Sequence, residues 1–207
     1  MPSPPPPTDP VRSLASAERA ALAPLLTRAF ADDPVHRWIH PGEREWERAG
    51  ARFFGALVEY FARHGGGAAS RERGAVALWM APEVHGGAPA RARLALTLRL
   101  FASLGRRVGR GLRAGAALES LRGREPHWYL AILATDPALR GRGLASSALA
   151  PLLARADADA LPVRLETARE ANLAFYARFG FAPSGECRIG AGPRVWAMRR
   201  PPQPRRS

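Results

Sequence analysis

The sequence predicts an α/β fold in which a mixed central β-sheet is flanked by helices on both faces. Two observations predict it. The C-terminal half alternates apolar strand-like runs with Ala/Leu-rich helical segments and ends in two consecutive strands, while the N-terminal half offers helices followed by a hairpin. The second observation is a glycine-rich hexad, Arg140-Gly141-Arg142-Gly143-Leu144-Ala145, placed where a strand hands over to a helix. Glycine lets the backbone approach a ligand closely, and the free N–H groups of a helix start favour an anion.

Taken in order, residues 1–9 are Pro-rich and expected to be a disordered tail, as is the basic stretch 201–207, leaving 10–200 as one domain. Residues 11–14 suit a short first strand. Residues 16–30 suit a helix with Ser16 as N-cap, Glu18 in its first turn and a kink or break at Pro24. Asp33-Pro34 stops the chain before a second helix over 43–64, which ends at Gly65-Gly66-Gly67. Residues 67–80 read as two strands around a turn at 71–74. The helical pattern of 90–121 is interrupted at Gly105, Gly109, Gly111 and Gly115, and such a basic amphipathic segment could pack on the sheet, line a pocket or touch a membrane surface. Beyond Pro126, a strand over 127–135, a helix over 145–155 and a strand over 161–168 follow. In that last strand Val163, Leu165 and Thr167 share one face and Arg164 and Glu166 the other. A helix over 172–179 is closed by Gly180, and strands over 181–189 and 194–199 complete the fold.

Composition excludes several classes. No apolar run approaches the roughly 18–20 residues a membrane helix needs. The first residues lack the basic and apolar regions of a secretion signal. A single cysteine, Cys187, allows no internal disulfide, so the cytoplasm is the expected compartment, and Cys187 reads as a small core residue. Net charge is +13, but all 31 basic residues are Arg with no Lys, as codon bias toward G and C produces. The arginines are scattered, and no RNA-binding motif accompanies them, so no dedicated nucleic-acid or membrane partner is expected. No Cys, His or Asp cluster has metal spacing.

The hexad narrows its ligand by elimination. A P-loop needs Lys and then Ser or Thr after its second glycine, and a dinucleotide fingerprint needs a third glycine where Ser146 stands. What remains is Arg/Gln-x-x-Gly-x-Gly/Ala, matched by Arg140, Gly143 and Ala145. Some thirty residues on, Asn172 and Tyr176 are four apart on one helix side, ahead of Gly180-Phe181. Together these segments resemble the two signatures of the GCN5-related N-acetyltransferases (GNAT). Residues 29–34, 74–83, 127–131, 165–168, 172–176 and 192–198 are similar, in order, to the puromycin N-acetyltransferase-like branch, across about 11–199.

The resemblance implies an acetyl-CoA-dependent N-acetyltransferase acting through a ternary complex on the primary amine of a small molecule, as monomer or homodimer. A protein or peptide amine, or a non-catalytic acyl-CoA sensor, stands as the alternative. It implies that Arg140, Gly141, Arg142, Gly143, Leu144 and Ala145 hold the pyrophosphate, that the backbone of Leu133, Ala134 and Thr135 pairs with the pantetheine arm, and that Asn172 bonds the cofactor or caps its helix. Tyr176, with an ordinary pKa of about 10 against about 8.5 for a thiol, suits the general acid for the departing thiolate, or else packs as a core aromatic. Glu166 suits the base, or an ion pair with Arg164 or Arg169. Trp79 and Trp128, and also Trp196, could wall the acceptor site or sit in the core.

Overall fold

The computed structural model describes residues 8–10, 13, 15–70, 72–82, 88–123 and 125–204. Its strands are β1 (Thr8–Pro10), β2 (Gly66–Ser70), β3 (Ala75–Met80), β4 (Trp128–Thr135), β5 (Val163–Thr167), β6 (Ala182–Arg188) and β7 (Arg194–Arg200). Its helices are α1 (Ser16–Ala29), α2 (Pro34–Ile39), α3 (Glu43–His64), α4 (Ala90–Leu104), α5 (Val108–Leu121), α6 (Leu144–Ala158) and α7 (Ala171–Ala177). The strands form one seven-stranded sheet in the order β1-β2-β3-β4-β5-β7-β6. Every neighbouring pair is antiparallel except β4 and β5, so the sheet is mixed, as the sequence predicts.

Strand alternation sorts the two faces. Ala75, Ala77 and Trp79 of β3 join Trp128 and Leu130 of β4 against Leu149 and Leu152 of α6. Val76 and Leu78 join Ile132 and Ala134 on the opposite face, beneath α1 and α3. The shift from even to odd pairing along β4 comes from a bulge: Leu78 pairs with Ile132 but Trp79 with Leu130, leaving Ala131 as the extra residue. Without it, the two ends of β4 would present the wrong side chains to each core.

Several details depart from expectation. The first strand is Thr8–Pro10, which takes in the last two residues of the stretch expected to be a disordered tail, and Pro10 is tolerated because β1 is an edge strand; of the expected strand at 11–14, all but Ser13 lies outside the described residues. Ala15, not Ser16, is the N-cap of α1, its N–H donating to Glu18 Oε2 at 2.9 Å. Pro24 does not break α1, since Pro24 and Ala20, whose carbonyl it cannot bond, both lie on the exposed side. Asp33 starts a helix rather than stopping one: its Oδ1 accepts from the N–H groups of Val35 and His36 and caps α2. Only Gly105, at φ +50°, breaks the segment after α4, while Gly109, Gly111 and Gly115 stay helical within α5, whose Ala114 is anchored beside Ile39, Ile189 and Val195. Residues 201–204 continue from β7, with the Gln203 N–H donating to Asp157 Oδ1 at 2.8 Å. No helix among the described residues is long and apolar enough to cross a membrane.

Candidate functional site

The phosphate-sized loop forms as its sequence suggests. At the end of β4, Asp136 accepts from the Ala138 N–H at 3.1 Å and turns the chain through one short 3₁₀ turn. Gly141 (φ +81°) and Gly143 (φ +75°) then take the left-handed backbone that other residues avoid. A Cβ on either would meet nothing within 4 Å, so it is the backbone turn, not space, that calls for glycine. Arg140 to Gly143 are exposed, while Leu144 is buried and anchors α6. The first bond of the helix runs from the Ser147 N–H to the Gly143 carbonyl at 3.1 Å, which leaves the amides of Leu144, Ala145 and Ser146 without helical partners. No acidic residue stands in that first turn, and Arg140 and Arg142 flank it. These are the conditions for holding a diphosphate.

The second feature is a gap in the sheet. Strands β4 and β5 pair only through Trp128 with Val163 and Tyr129 with Arg164. Beyond them the strands part. Leu133, Ala134 and Thr135 remain paired with β3 on one side but have no strand partner on the other. Such an edge can accept an amide-bearing arm as an added strand. The Thr135 hydroxyl is buried there with no hydrogen-bond partner.

The opening leads into a cleft of about 1060 Å³. Glu166, Asn172, Tyr176 and Leu133 all line it, together with apolar residues of α3, α4 and α5. Tyr176 therefore serves two places: its ring packs with Phe175 and Phe181 on the α6 side of the sheet, yet it also borders the cleft lined by helices of the other side. It reaches both because the sheet is open between β4 and β5. Its hydroxyl has no hydrogen-bond partner among the described residues, and burial pushes its pKa up, so it keeps its proton. Asn172 is one residue into α7 and does not cap it; its Nδ2 donates to Thr167 Oγ1 at 3.0 Å.

Glu166 accepts a hydrogen bond from the Tyr129 hydroxyl at 2.7 Å. Burial raises its pKa, against the hydrogen bond from Tyr129 and the charge of Arg122, which hold it down. A carboxylate whose pKa is raised in a cleft is a better proton acceptor than an ordinary one. It does not form the alternative ion pair with Arg164 or Arg169; Arg164 binds Glu125 at 2.8 Å instead. The Arg122 guanidinium lies 4.7 Å from the centre of the Tyr129 ring and pairs with Glu119 at 2.8 Å.

Trp79 and Trp128 do not reach the cleft. Trp79 faces α6 and crosses over Gly66, where any Cβ would collide with its indole. Trp128 faces the same core and donates from Nε1 to Asp159 Oδ2 at 3.0 Å. Trp196 is half-buried on β7, beneath the guanidinium of Arg194. Sequence reasoning missed Tyr129, Arg122 and Glu119. Tyr129 was within reach, because strict alternation on β4 opposes it to Trp128, and only one of the two can face the cleft.

This sheet, parted beside a glycine-rich helix start, is the fold of the GNAT acetyltransferases, and residues 100–181 match the model of the acetyltransferase (GNAT) family. Solved structures agree over nearly the whole chain. The histone acetyltransferase HPA2 and related acetyltransferase from Corynebacterium glutamicum is 25% identical, with 97% of this chain and 98% of that one covered at a TM-score of 0.63. An N-acetyltransferase from Staphylococcus aureus is 18% identical over 89% of this chain and 96% of its own, at a TM-score of 0.60. Arylalkylamine N-acetyltransferase 2 from Aedes aegypti is 14% identical over 95% and 99%, also at 0.60, and shares the fold.

Proposed function

We propose that this chain is an acetyl-CoA-dependent N-acetyltransferase that passes the acetyl group directly to the primary amine of a small molecule, in the manner of the puromycin N-acetyltransferase-like branch. One observation carries the reading: a single cleft crosses the sheet at the β4–β5 gap and collects a protonated, unpartnered Tyr176 hydroxyl and the raised carboxylate of Glu166. The loop at Arg140–Ala145 supports it as the diphosphate seat, and the open edge at Leu133–Thr135 as the seat of the pantetheine arm.

In the reaction, the amine nitrogen attacks the thioester carbon. The C–N bond forms and the C–S bond breaks. Glu166 takes the proton lost by the amine, directly or through water, and Tyr176 gives its proton to the departing thiolate; exchange with solvent restores both. A backbone N–H of the open β4 edge is suited to the carbonyl oxygen as charge develops on it.

The test is calorimetric titration with acetyl-CoA alongside CoA release over a panel of amines. Gly143→Trp is expected to weaken acetyl-CoA binding by at least about 100-fold, since the ring would occupy the phosphate seat beside a strained backbone. Its melting temperature should fall by several degrees, the cost of forcing a side chain to φ +75°, but the fold should persist because the position is exposed and nothing lies within 4 Å of a Cβ there. Unchanged affinity in the folded variant would sink the loop assignment. Tight acetyl-CoA binding with no CoA release from any amine would define an acyl-CoA sensor instead.

A further inference from the structure

Residues 84–118 carry seven Arg and no Asp or Glu. The structure sorts the α4 part of this stretch by face. Leu96, Leu100 and Leu104 turn inward and line the cleft. Leu94, Ala95, Leu98 and Ala102 recur at helical spacing on the opposite side, and all four are exposed. Among the described residues the exposed large apolar side chains are Leu94 and Leu98, each 60% exposed, and Leu112, so two of the three sit on adjacent turns of one helix. Arg91 heads that strip, Arg99 flanks it, and Arg106 follows it just past Gly105. All three arginines are exposed, and none has an ion pair among the described residues, whereas Arg107 is bound to Glu45 at 2.9 Å. Glu59 of α3 shares a shallow groove with Arg99, but its carboxylate already accepts from Arg19 and Arg63. The outer face of α4 is therefore apolar along its centre and positive around it, with no carboxylate of its own.

We propose that this face docks the protein on an anionic lipid surface, with Leu94 and Leu98 entering the boundary between headgroups and acyl chains and Arg91, Arg99 and Arg106 meeting the lipid phosphates. A lipid surface matches both halves of the face at once. A nucleic acid offers phosphates but no apolar layer for the leucines. A second copy packed on it about a two-fold axis would set arginines against arginines. The helix lies along the surface rather than crossing it, since α4 has 15 residues and carries Arg91, Arg93 and Arg99. The face points away from the cleft, so the inference stands independently of the acetyltransferase reading.

The experiment sediments the full chain at physiological salt with vesicles of phosphatidylcholine alone, or of phosphatidylcholine and phosphatidylglycerol in equal parts. The mixed vesicles are expected to bind at least about tenfold more tightly, since each arginine near an anionic surface strengthens binding by about fivefold. Leu94→Ser with Leu98→Ser should weaken that binding about tenfold or more, with the melting curve little changed because both positions are exposed. Leu94→Ala with Leu98→Ala serves, with a smaller loss, if the serine pair does not fold. Arg91→Gln with Arg99→Gln should weaken binding about 25-fold. Arg178→Gln with Arg188→Gln removes the same charge from exposed positions elsewhere and should change it little. Equal affinity for the two vesicles would overturn the proposal, as would parental binding by the serine pair or an equal loss in the Arg178 and Arg188 pair. So would tighter, leucine-independent binding to RNA, or a dimer in sedimentation velocity that the serine pair abolishes while the parent ignores vesicles.

Discussion

Trp128 and Tyr129 are consecutive, aromatic and almost equally buried, at 7% and 8% exposed, yet they serve opposite regions of the molecule. Trp128 belongs to the filled core between the sheet and α6, where its one polar atom is satisfied by Asp159. Tyr129 faces the cleft, where its hydroxyl holds the carboxylate of Glu166. The difference teaches that neither aromatic character nor burial marks a site residue. What marks it is the chemistry of the partner that its polar atom meets. The two faces differ in the same way: the α6 face is packed with fully buried Leu149, Leu152 and Val163, while the other leaves a cavity under α4, which buries only Ser103.

The largest test of that division falls on Tyr176, which touches both regions. Tyr176→Phe keeps the ring packed against Phe175 and Phe181 and removes only the proton donor. Turnover should fall about 10²–10⁴-fold with acetyl-CoA affinity little changed. Because the hydroxyl has no hydrogen bond to lose, the melting curve should hardly move. Normal turnover in steady-state kinetics would return Tyr176 to the core alone.

Glu166→Gln comes next, with turnover lowered roughly 100-fold at neutral pH. Partial recovery is expected at high pH, where the amine arrives unprotonated. A pH–rate profile superimposable on that of the parent would remove Glu166 from the reaction.

The smallest and sharpest test sets the two neighbours against each other. The hydrogen bond from Tyr129 stabilises the ionised form of Glu166, so Tyr129→Phe should raise the pKa of Glu166 further. Because the base works only when ionised, the acid limb of the pH–rate profile should move to higher pH, with turnover below neutrality reduced roughly tenfold. Trp128→Phe should leave that profile in place and instead cost about 1–3 kcal/mol of stability, through the lost bond to Asp159 and the space vacated in the core. Reversal of the two patterns would mean that the faces have been assigned the wrong way round.

Much of this was legible in the chain. Alternation places Val163 and Leu165 inward and Glu166 outward, and burial along β5 follows it. The hexad announces its own backbone, since only glycine takes a positive φ at 141 and 143 without strain. The acceptor site was not legible in the same way. Trp79 and Trp128 were the expected walls, but an aromatic in a strand says only that it will be buried, not behind which face. Glu119 sits in, and Arg122 directly follows, a segment whose glycines suggested repeated breaks, and tertiary packing around Ala114 carried the helix through three of the four.

By itself, then, the sequence determined what depends on near neighbours: the strand and helix periods, the turn at Asp136, the left-handed glycines and the uncapped start of α6. These follow from sterics and hydrogen bonds within a few residues. Only the tertiary structure decided that β4 and β5 part after two pairs, that a bulge at Ala131 reverses the facing of β4, and that Tyr176 meets the cleft through the resulting gap. Those outcomes depend on which strand pairs with which, and over what length. That balance is struck among hydrogen bonds and packing between residues far apart in the chain, which no local pattern encodes.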